Sequence, residues 1–203
     1  MKRRTPRRAA AARANRVRII GGTWRSRIVT FPDAEGLRPT PDRVRETLFN
    51  WLGQDLTGKR CLDLFAGAGA LGFEALSRGA AEVVMVERLR VVAAALRENA
   101  ERLGARALRV VEDDALHFLA DPAVGRFDVV FVDPPFGSGL AGRVLERLPA
   151  VLADAGMVYV EGDAPLAPAP PWRVRRHARA GAVHYHLVDW GAHDDQGSLS
   201  GDV

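Results

Sequence analysis

From Arg60 onward, short runs of apolar, often β-branched residues alternate with segments whose apolar positions recur at helical spacing. Val83-Val84-Met85-Val86 and Val129-Val130-Phe131-Val132 are apolar without alternation, as strands covered by helices on both faces must be. The pattern predicts strands over 61–66, 82–87, 107–112, 128–133 and 156–161, separated by helices over 70–78, 90–103, 115–120 and 140–152. Two more strand-like runs, 172–179 and 183–190, are joined only by Ala180-Gly181-Ala182. So short a link forces antiparallel pairing, because a parallel return needs a crossover of about a dozen residues. Upstream, polar and apolar residues alternate from Arg16 to Phe31 around Gly21-Gly22, as in a small hairpin. Thr40 is placed to cap a helix with Pro41 at its first position, and Val44, Thr47, Leu48, Trp51 and Leu52 follow helical spacing.

The expected fold is therefore α/β: a mostly parallel seven-stranded sheet ending in an antiparallel hairpin, with a small N-terminal β-hairpin extension. The expected divisions are a disordered basic tail over 1–15, the hairpin extension over 16–36, the main domain over 37–191 and a disordered tail over 192–203.

Charge changes this picture at one end. Residues 1 to 32 hold ten of the 29 Lys and Arg and no acid, while residues 33 to 203 carry 19 bases against 25 acids. Such an arm can reach phosphates while an acidic body binds something else, and within it Arg18, Arg25 and Arg27 flank the hairpin beside the domain. The single cysteine, Cys61, lies in an apolar run and is expected in the core, so no disulfide framework is available. No stretch approaches the roughly 20 apolar residues that cross a bilayer, and no hydrophobic leader follows the basic start. A cytoplasmic, membrane-free monomer is expected.

The candidate chemistry sits at the predicted strand ends. Asp63-Leu-Phe-Ala-Gly-Ala-Gly-Ala-Leu-Gly72 closes the first strand of the main domain and opens a helix, with glycines where a backbone must approach a ligand. Glu87 ends the next strand, where a carboxylate can take both hydroxyls of an adenosine ribose. Asp114 and Ala115 follow the third; Asp114 can meet an adenine amino group or cap the next helix. After the fourth comes Asp133-Pro134-Pro135-Phe136. Prolines fix φ and lack N–H groups, so they create a rigid array of acceptors. Acceptors from Asp133 and Pro134 can hold both hydrogens of an exocyclic amino group, a poor nucleophile whose lone pair is delocalised into its ring, while Phe136 can stack on the base. His117, His177, His184, His186 and His193 lack Cys partners and carboxylate pairing at i, i+4, so they are expected at the surface with no metal bound.

These motifs carry a resemblance. Arg38-Pro-Thr-Pro-Asp-Arg-Val-Arg-Glu-Thr-Leu-Phe-Asn-Trp-Leu52, the 63–72 segment and Phe131-Val-Asp-Pro-Pro-Phe136 resemble, in this order, the bacterial guanine-N2 methyltransferases of 16S ribosomal RNA, class I enzymes of Rossmann-like fold. The resemblance spans residues 16 to 190. It implies S-adenosylmethionine as methyl donor and a guanine of 16S rRNA, in 30S subunits or their assembly intermediates, as substrate. It also implies that Thr40, Arg43, Asp63, Phe65, Ala66, Gly67, Gly69, Glu87, Asp114 and Ala115 bind the cofactor, and that Asp133 to Phe136 hold the target base. Three other readings compete: adenine-N6 or another amine or amide as target, a nucleotide-dependent oxidoreductase, and a noncatalytic RNA-binding module. The first lacks a separate DNA-recognition domain. The second leaves the Asp-Pro-Pro-Phe segment unexplained and expects a sheet that finishes parallel.

Overall fold

A computed structural model describes residues 15–34 and 37–191. The tails expected over 1–15 and 192–203 lie outside these residues, except for Asn15, which opens the first strand. The N-terminal extension is β1 (Asn15–Arg18) and β2 (Ile28–Phe31), paired antiparallel and followed by α1 (Asp42–Trp51). The main domain runs β3 (Arg60–Asp63), α2 (Ala70–Ser77), β4 (Glu82–Glu87), α3 (Arg90–Leu103), β5 (Leu108–Glu112), α4 (Ala115–Phe118), β6 (Phe127–Val132), α5 (Leu140–Leu145), β7 (Leu152–Gly162), β8 (Trp172–Ala180) and β9 (Val183–Trp190).

The seven strands are ordered β5-β4-β3-β6-β7-β9-β8. The pairs from β5 to β7 are parallel, and β9 is antiparallel to both β7 and β8. Strand order reverses between β3 and β6, which opens a ligand crevice outside their carboxyl ends. One face of the sheet packs Phe49, Phe73, Phe131 and Tyr159; the other packs Val84, Val86, Val130, Val132 and Leu148. This two-sided burial accounts for the unbroken apolar runs of β4 and β6.

Three local expectations are corrected. Thr40 does not cap α1: Pro41 occupies the cap position with extended backbone and no side-chain cap bond, while Thr40 is buried beside Glu161. The helix expected over 140–152 stops at Leu145 and resumes only as a 3-10 turn over Leu148–Ala150, because Pro149 supplies no N–H to continue it. The hairpin does not turn tightly at Gly21-Gly22. Instead residues 19–27 form a loop clamped to the end of α2, where Ser77 accepts Thr23 N–H on its carbonyl (2.7 Å) and Trp24 N–H on Oγ (2.8 Å), and donates that hydroxyl to the Gly21 carbonyl (2.5 Å). Gly22 has φ +70°, and a Cβ there would lie 1.7 Å from the Ser77 carbonyl oxygen, so no other residue fits.

A buried ionic knot joins this extension to the main domain. Arg45 donates to Glu74 (3.1 Å), to Asp42 (2.6 Å), to the Arg18 carbonyl (2.9 Å) and to the Thr40 carbonyl (3.1 Å). Glu74 also accepts Ile20 N–H (2.9 Å) and Arg78 (2.9 Å). Burying such charges is tolerable only because their hydrogen-bonding positions are so fully used.

Candidate active site

Asp63, Glu87, Asp133 and Glu161 all emerge at the carboxyl edge on one face of the sheet. Val132 pairs with Val160, so the next residues, Asp133 and Glu161, leave β6 and β7 side by side. Asp63 accepts Gly72 N–H at 3.2 Å and a further backbone bond from Phe65, so it braces the glycine-rich turn from within. Burial and the nearby charges of Glu87 and Glu161 outweigh these bonds and push its carboxyl up to about 7. Glu87 supports the same turn from the next strand, accepting Gly67 N–H (3.0 Å) and Leu89 N–H (2.7 Å).

The three glycines of the motif do different work. Gly67 turns with φ +48°, and a Cβ there would meet Leu37 at 2.8 Å. Gly72 is a packing glycine: its Cβ would collide with Met85 at 2.3 Å, and Gly69 likewise abuts Leu96 and Phe73. Just before them, Phe65 is half-buried and Ala66 buried. Asp114 caps α4, its Oδ1 accepting Leu116 N–H (2.9 Å) and His117 N–H (3.3 Å), and Ala115 is buried as the first residue of that helix.

The Asp-Pro-Pro-Phe segment is organised differently. Among the described residues no donor reaches the Asp133 carboxylate, which burial and the charges of Glu161 and Asp63 raise well above its ordinary range. The Pro135 carbonyl accepts Ser138 N–H at 3.2 Å, whereas the Pro134 carbonyl has no partner among the described residues. Pro134 is buried, and Phe136 is 55% exposed at the rim. Two adjacent acceptors thus lie unmatched beneath an exposed aromatic ring.

Glu161 and Tyr159 were not singled out by sequence. Glu161 is buried, accepts the Tyr159 hydroxyl at 2.8 Å and hydrogen-bonds Thr40, yet burial still raises its carboxyl. The available signal was its position, as one more acid ending a strand. Thr40 joins the site through this contact; Arg43 is exposed on α1. Arg18 pairs with Asp42 at 3.3 Å near the start of α1. Arg25 and Arg27 are exposed on the loop at Ser77, one α2 length, about 12 Å, from the glycine-rich turn.

The histidines also depart from expectation. His117 does have a carboxylate at i−4, Asp113, 2.8 Å away, which raises its pKa. His177, His184 and His186 form a stack rather than scattered surface residues: the His177 ring lies 4.4 Å from that of His186 and 5.3 Å from that of His184, and His186 is buried. Cys61 is fully buried as expected, its thiol pushed up to about 12 by burial.

An oxidoreductase of this general shape would close its sheet with parallel strands. The insertion of β9 antiparallel between β7 and β8 makes this instead the fold of a class I, Rossmann-like methyltransferase. The family model described as Conserved hypothetical protein 95 matches residues 17–189, and the chain belongs to that family. It is 46% identical over 180 residues to ribosomal RNA small subunit methyltransferase D of Escherichia coli, covering 86% of this chain and 90% of that one. The Haemophilus influenzae protein of the same name is 43% identical over 178 residues, covering 84% and 92%. The solved structure of the Escherichia coli protein yhhF superposes with a TM-score of 0.77 at 44% identity, covering 86% of this chain and 97% of that one.

Proposed function

We propose that this protein transfers a methyl group from S-adenosylmethionine to the N2 amino group of a guanine in 16S ribosomal RNA. The carrying observation is the pair of unmatched acceptors, the Asp133 carboxylate and the Pro134 carbonyl, at the open end of the crevice. An exocyclic amino group has two N–H donors and would satisfy both. Held so, its lone pair turns out of conjugation with the ring and toward the crevice. Phe136, exposed at the rim, can stack on a base that has left its neighbours.

The residues fit the donor. Gly67 takes a left-handed backbone (φ +48°) that suits a close approach, Glu87 stands at the end of β4 for the ribose hydroxyls, and Asp114 retains Oδ2 beside its cap bonds for an adenine amino group. When bound, S-adenosylmethionine supplies a methyl group activated by a sulfonium charge. Burial and mutual repulsion hold the carboxyls of Asp63 and Asp133 above their ordinary range, and burial raises that of Glu161; an arriving sulfonium charge favours their ionised forms, whose negative potential then matches it. As the new C–N bond forms, the methyl–sulfur bond breaks with its electron pair left on a neutral thioether, and the amino nitrogen becomes cationic. Asp133, already hydrogen-bonded to it, stabilises that charge and takes the surplus proton, leaving the neutral methylamine.

The substrate context follows the same reading: a monomeric enzyme of the bacterial cytoplasm acting on rRNA in 30S subunits or their assembly intermediates. Among the described residues no helix is long and apolar enough to cross a membrane. The test is incubation with labelled S-adenosylmethionine and, separately, 30S subunits, free 16S rRNA, DNA and protein, followed by nucleoside analysis. Label in N2-methylguanosine from rRNA is expected. Label in N6-methyladenosine or in protein, or none in rRNA, overturns the reading.

A further inference from the structure

The hairpin β8–β9 carries a charge pattern that the catalytic site does not use. Residues 172–190 contain four arginines, Arg173, Arg175, Arg176 and Arg179, against one acid, Asp189, within a body that is otherwise rich in acid. The acid is not shared evenly. Asp189 pairs with Arg173 (3.4 Å) and Arg175 (2.7 Å), both in the half of β8 nearer its start. Among the described residues, neither Arg176 nor Arg179 pairs with a carboxylate, and both are exposed. Asp163, the nearest acid in sequence beyond β7, forms an ion pair with neither.

Strand register places this unpaired charge beside the active site. Gly162, one residue past Glu161, pairs with His184, and His184 pairs with Arg179. The turn at Gly181 therefore lies at the carboxyl edge, the edge that also carries Asp133 and Phe136. With strand order β6-β7-β9-β8, Arg179 sits three strand spacings from the end of β6, about 14 Å. The Arg179 Nε donates to the Gly181 carbonyl at 2.7 Å, which fixes the guanidinium at the turn and leaves its two amino groups without a partner among the described residues. On the same face the rings of His177 and His184 stack, 5.3 Å apart and 10° from parallel. Burial, then the Arg179 and His177 charges, holds His184 below its ordinary pKa, so at neutral pH that imidazole offers a flat face rather than another charge.

We infer that the carboxyl-edge half of β8–β9, with His177, Arg179 and His184 on one face of the edge strand and Arg176 on the other, is an RNA-contact surface that grips backbone phosphates flanking the target guanine. This inference rests on the proposed function and adds where the rRNA strand runs: from Phe136 across the ends of β7 and β9 to the edge strand. Arginine guanidinium groups suit phosphate oxygens bidentately, and an imidazole face suits an unstacked base or ribose. The surface is distinct from the basic arm, whose loop at Ser77 lies toward the opposite edge of the sheet.

The test compares intact protein with Arg176→Ala/Arg179→Ala and with Arg175→Ala, whose guanidinium is already paired. Methyl transfer to 30S subunits and binding to fluorescein-labelled RNA hairpins from 16S rRNA are measured across salt concentrations, with thermal unfolding as a check on folding. The double variant should raise KM for 30S subunits by about 3- to 10-fold, leave kcat nearly unchanged, and reduce the slope of log affinity against log salt by about 1.5, as loss of two phosphate contacts requires. Arg175→Ala should change little. Unchanged KM and salt slope in a folded double variant overturns the inference while leaving the methyltransferase reading intact. A defect seen with 30S subunits but absent with deproteinised RNA also overturns it, since the partner is then a ribosomal protein. If even intact protein methylates no rRNA, it is the proposed function that fails.

Discussion

The Tyr159 hydroxyl donates to the Glu161 carboxylate at 2.8 Å, and both side chains are buried on the same face of β7, next to Asp133. Replacing Tyr159 by Phe leaves a buried carboxylate short of one donor and should cost about 1–3 kcal/mol of stability, read from denaturant unfolding. Turnover should fall with it, because Glu161 also bonds Thr40 and so connects the segment entering α1 to the catalytic edge. Glu161→Gln should lower kcat more than it raises KM for RNA. If both variants kept wild-type stability and kcat, this contact would have no part in shaping the site.

Asp133 is expected to act on the target amine rather than on the cofactor. Asp133→Ala should reduce kcat by at least about 100-fold while the dissociation constant for S-adenosylmethionine changes only a few-fold. Asp133→Asn keeps an acceptor but loses the charge and should retain intermediate activity. Wild-type turnover by Asp133→Ala on 30S subunits would remove the acceptor role altogether.

Glu87 already receives hydrogen bonds from Gly67 and Leu89 N–H groups, so its removal should loosen the turn as well as unpair the ribose hydroxyls. Glu87→Ala should weaken cofactor binding by about 1–3 kcal/mol, measured by titration calorimetry. An unchanged affinity would mean the ribose lies elsewhere.

The carboxyl of Asp63, ordinarily near 3.8, is pushed up to about 7 in the folded chain. Between these values the folded state keeps a proton that the unfolded chain has released. This group's contribution to stability is therefore greatest below about pH 4 and declines as pH rises toward 7. Binding a cation favours the ionised form, so affinity for S-adenosylmethionine should increase from about pH 6 to pH 8 with release of protons. S-Adenosylhomocysteine lacks the sulfonium charge and should respond much less. Calorimetry in buffers of different ionisation enthalpy checks this; equal pH responses for the two ligands would rule it out.

Arg25 and Arg27 stand at the end of α2 remote from the glycine-rich turn. Changing both to Ala should weaken salt-sensitive RNA binding without altering kcat, and should raise KM for 30S subunits less than the loss of Arg176 and Arg179. The order of the two KM values decides it.

The fold was legible wherever burial imposed one pattern over a whole element. The bounds of β4, α3 and β9 coincide with their apolar runs because each is packed along its full length. Thr40 misled because an N-terminal hydroxyl before a helix normally serves the helix, and only tertiary structure brings a buried carboxylate within its reach. The 19–27 loop was misplaced for a similar reason: two adjacent glycines suggest a tight turn, but Gly22 is required by the approach of Ser77, 55 positions along the chain. Asp133 and Pro134 were visible as chemistry from the order of residues closing a predicted strand. Glu161 was not, since a lone acid after an apolar strand has no meaning until β6 and β7 are known to be neighbours.

Strand β9 is the last element of the described chain, yet it occupies an interior place in the sheet, between β7 and β8. During synthesis β7 is therefore made some twenty residues before its neighbour, and its unpaired backbone, including the segment that carries Tyr159 and Glu161, is open to other chains in the interval. A product that ends between Gly162 and Val183 would keep every motif of the cofactor crevice and still lack the strand that seals it. Release of incomplete chains should accordingly yield aggregates or proteolytic fragments rather than a smaller working enzyme.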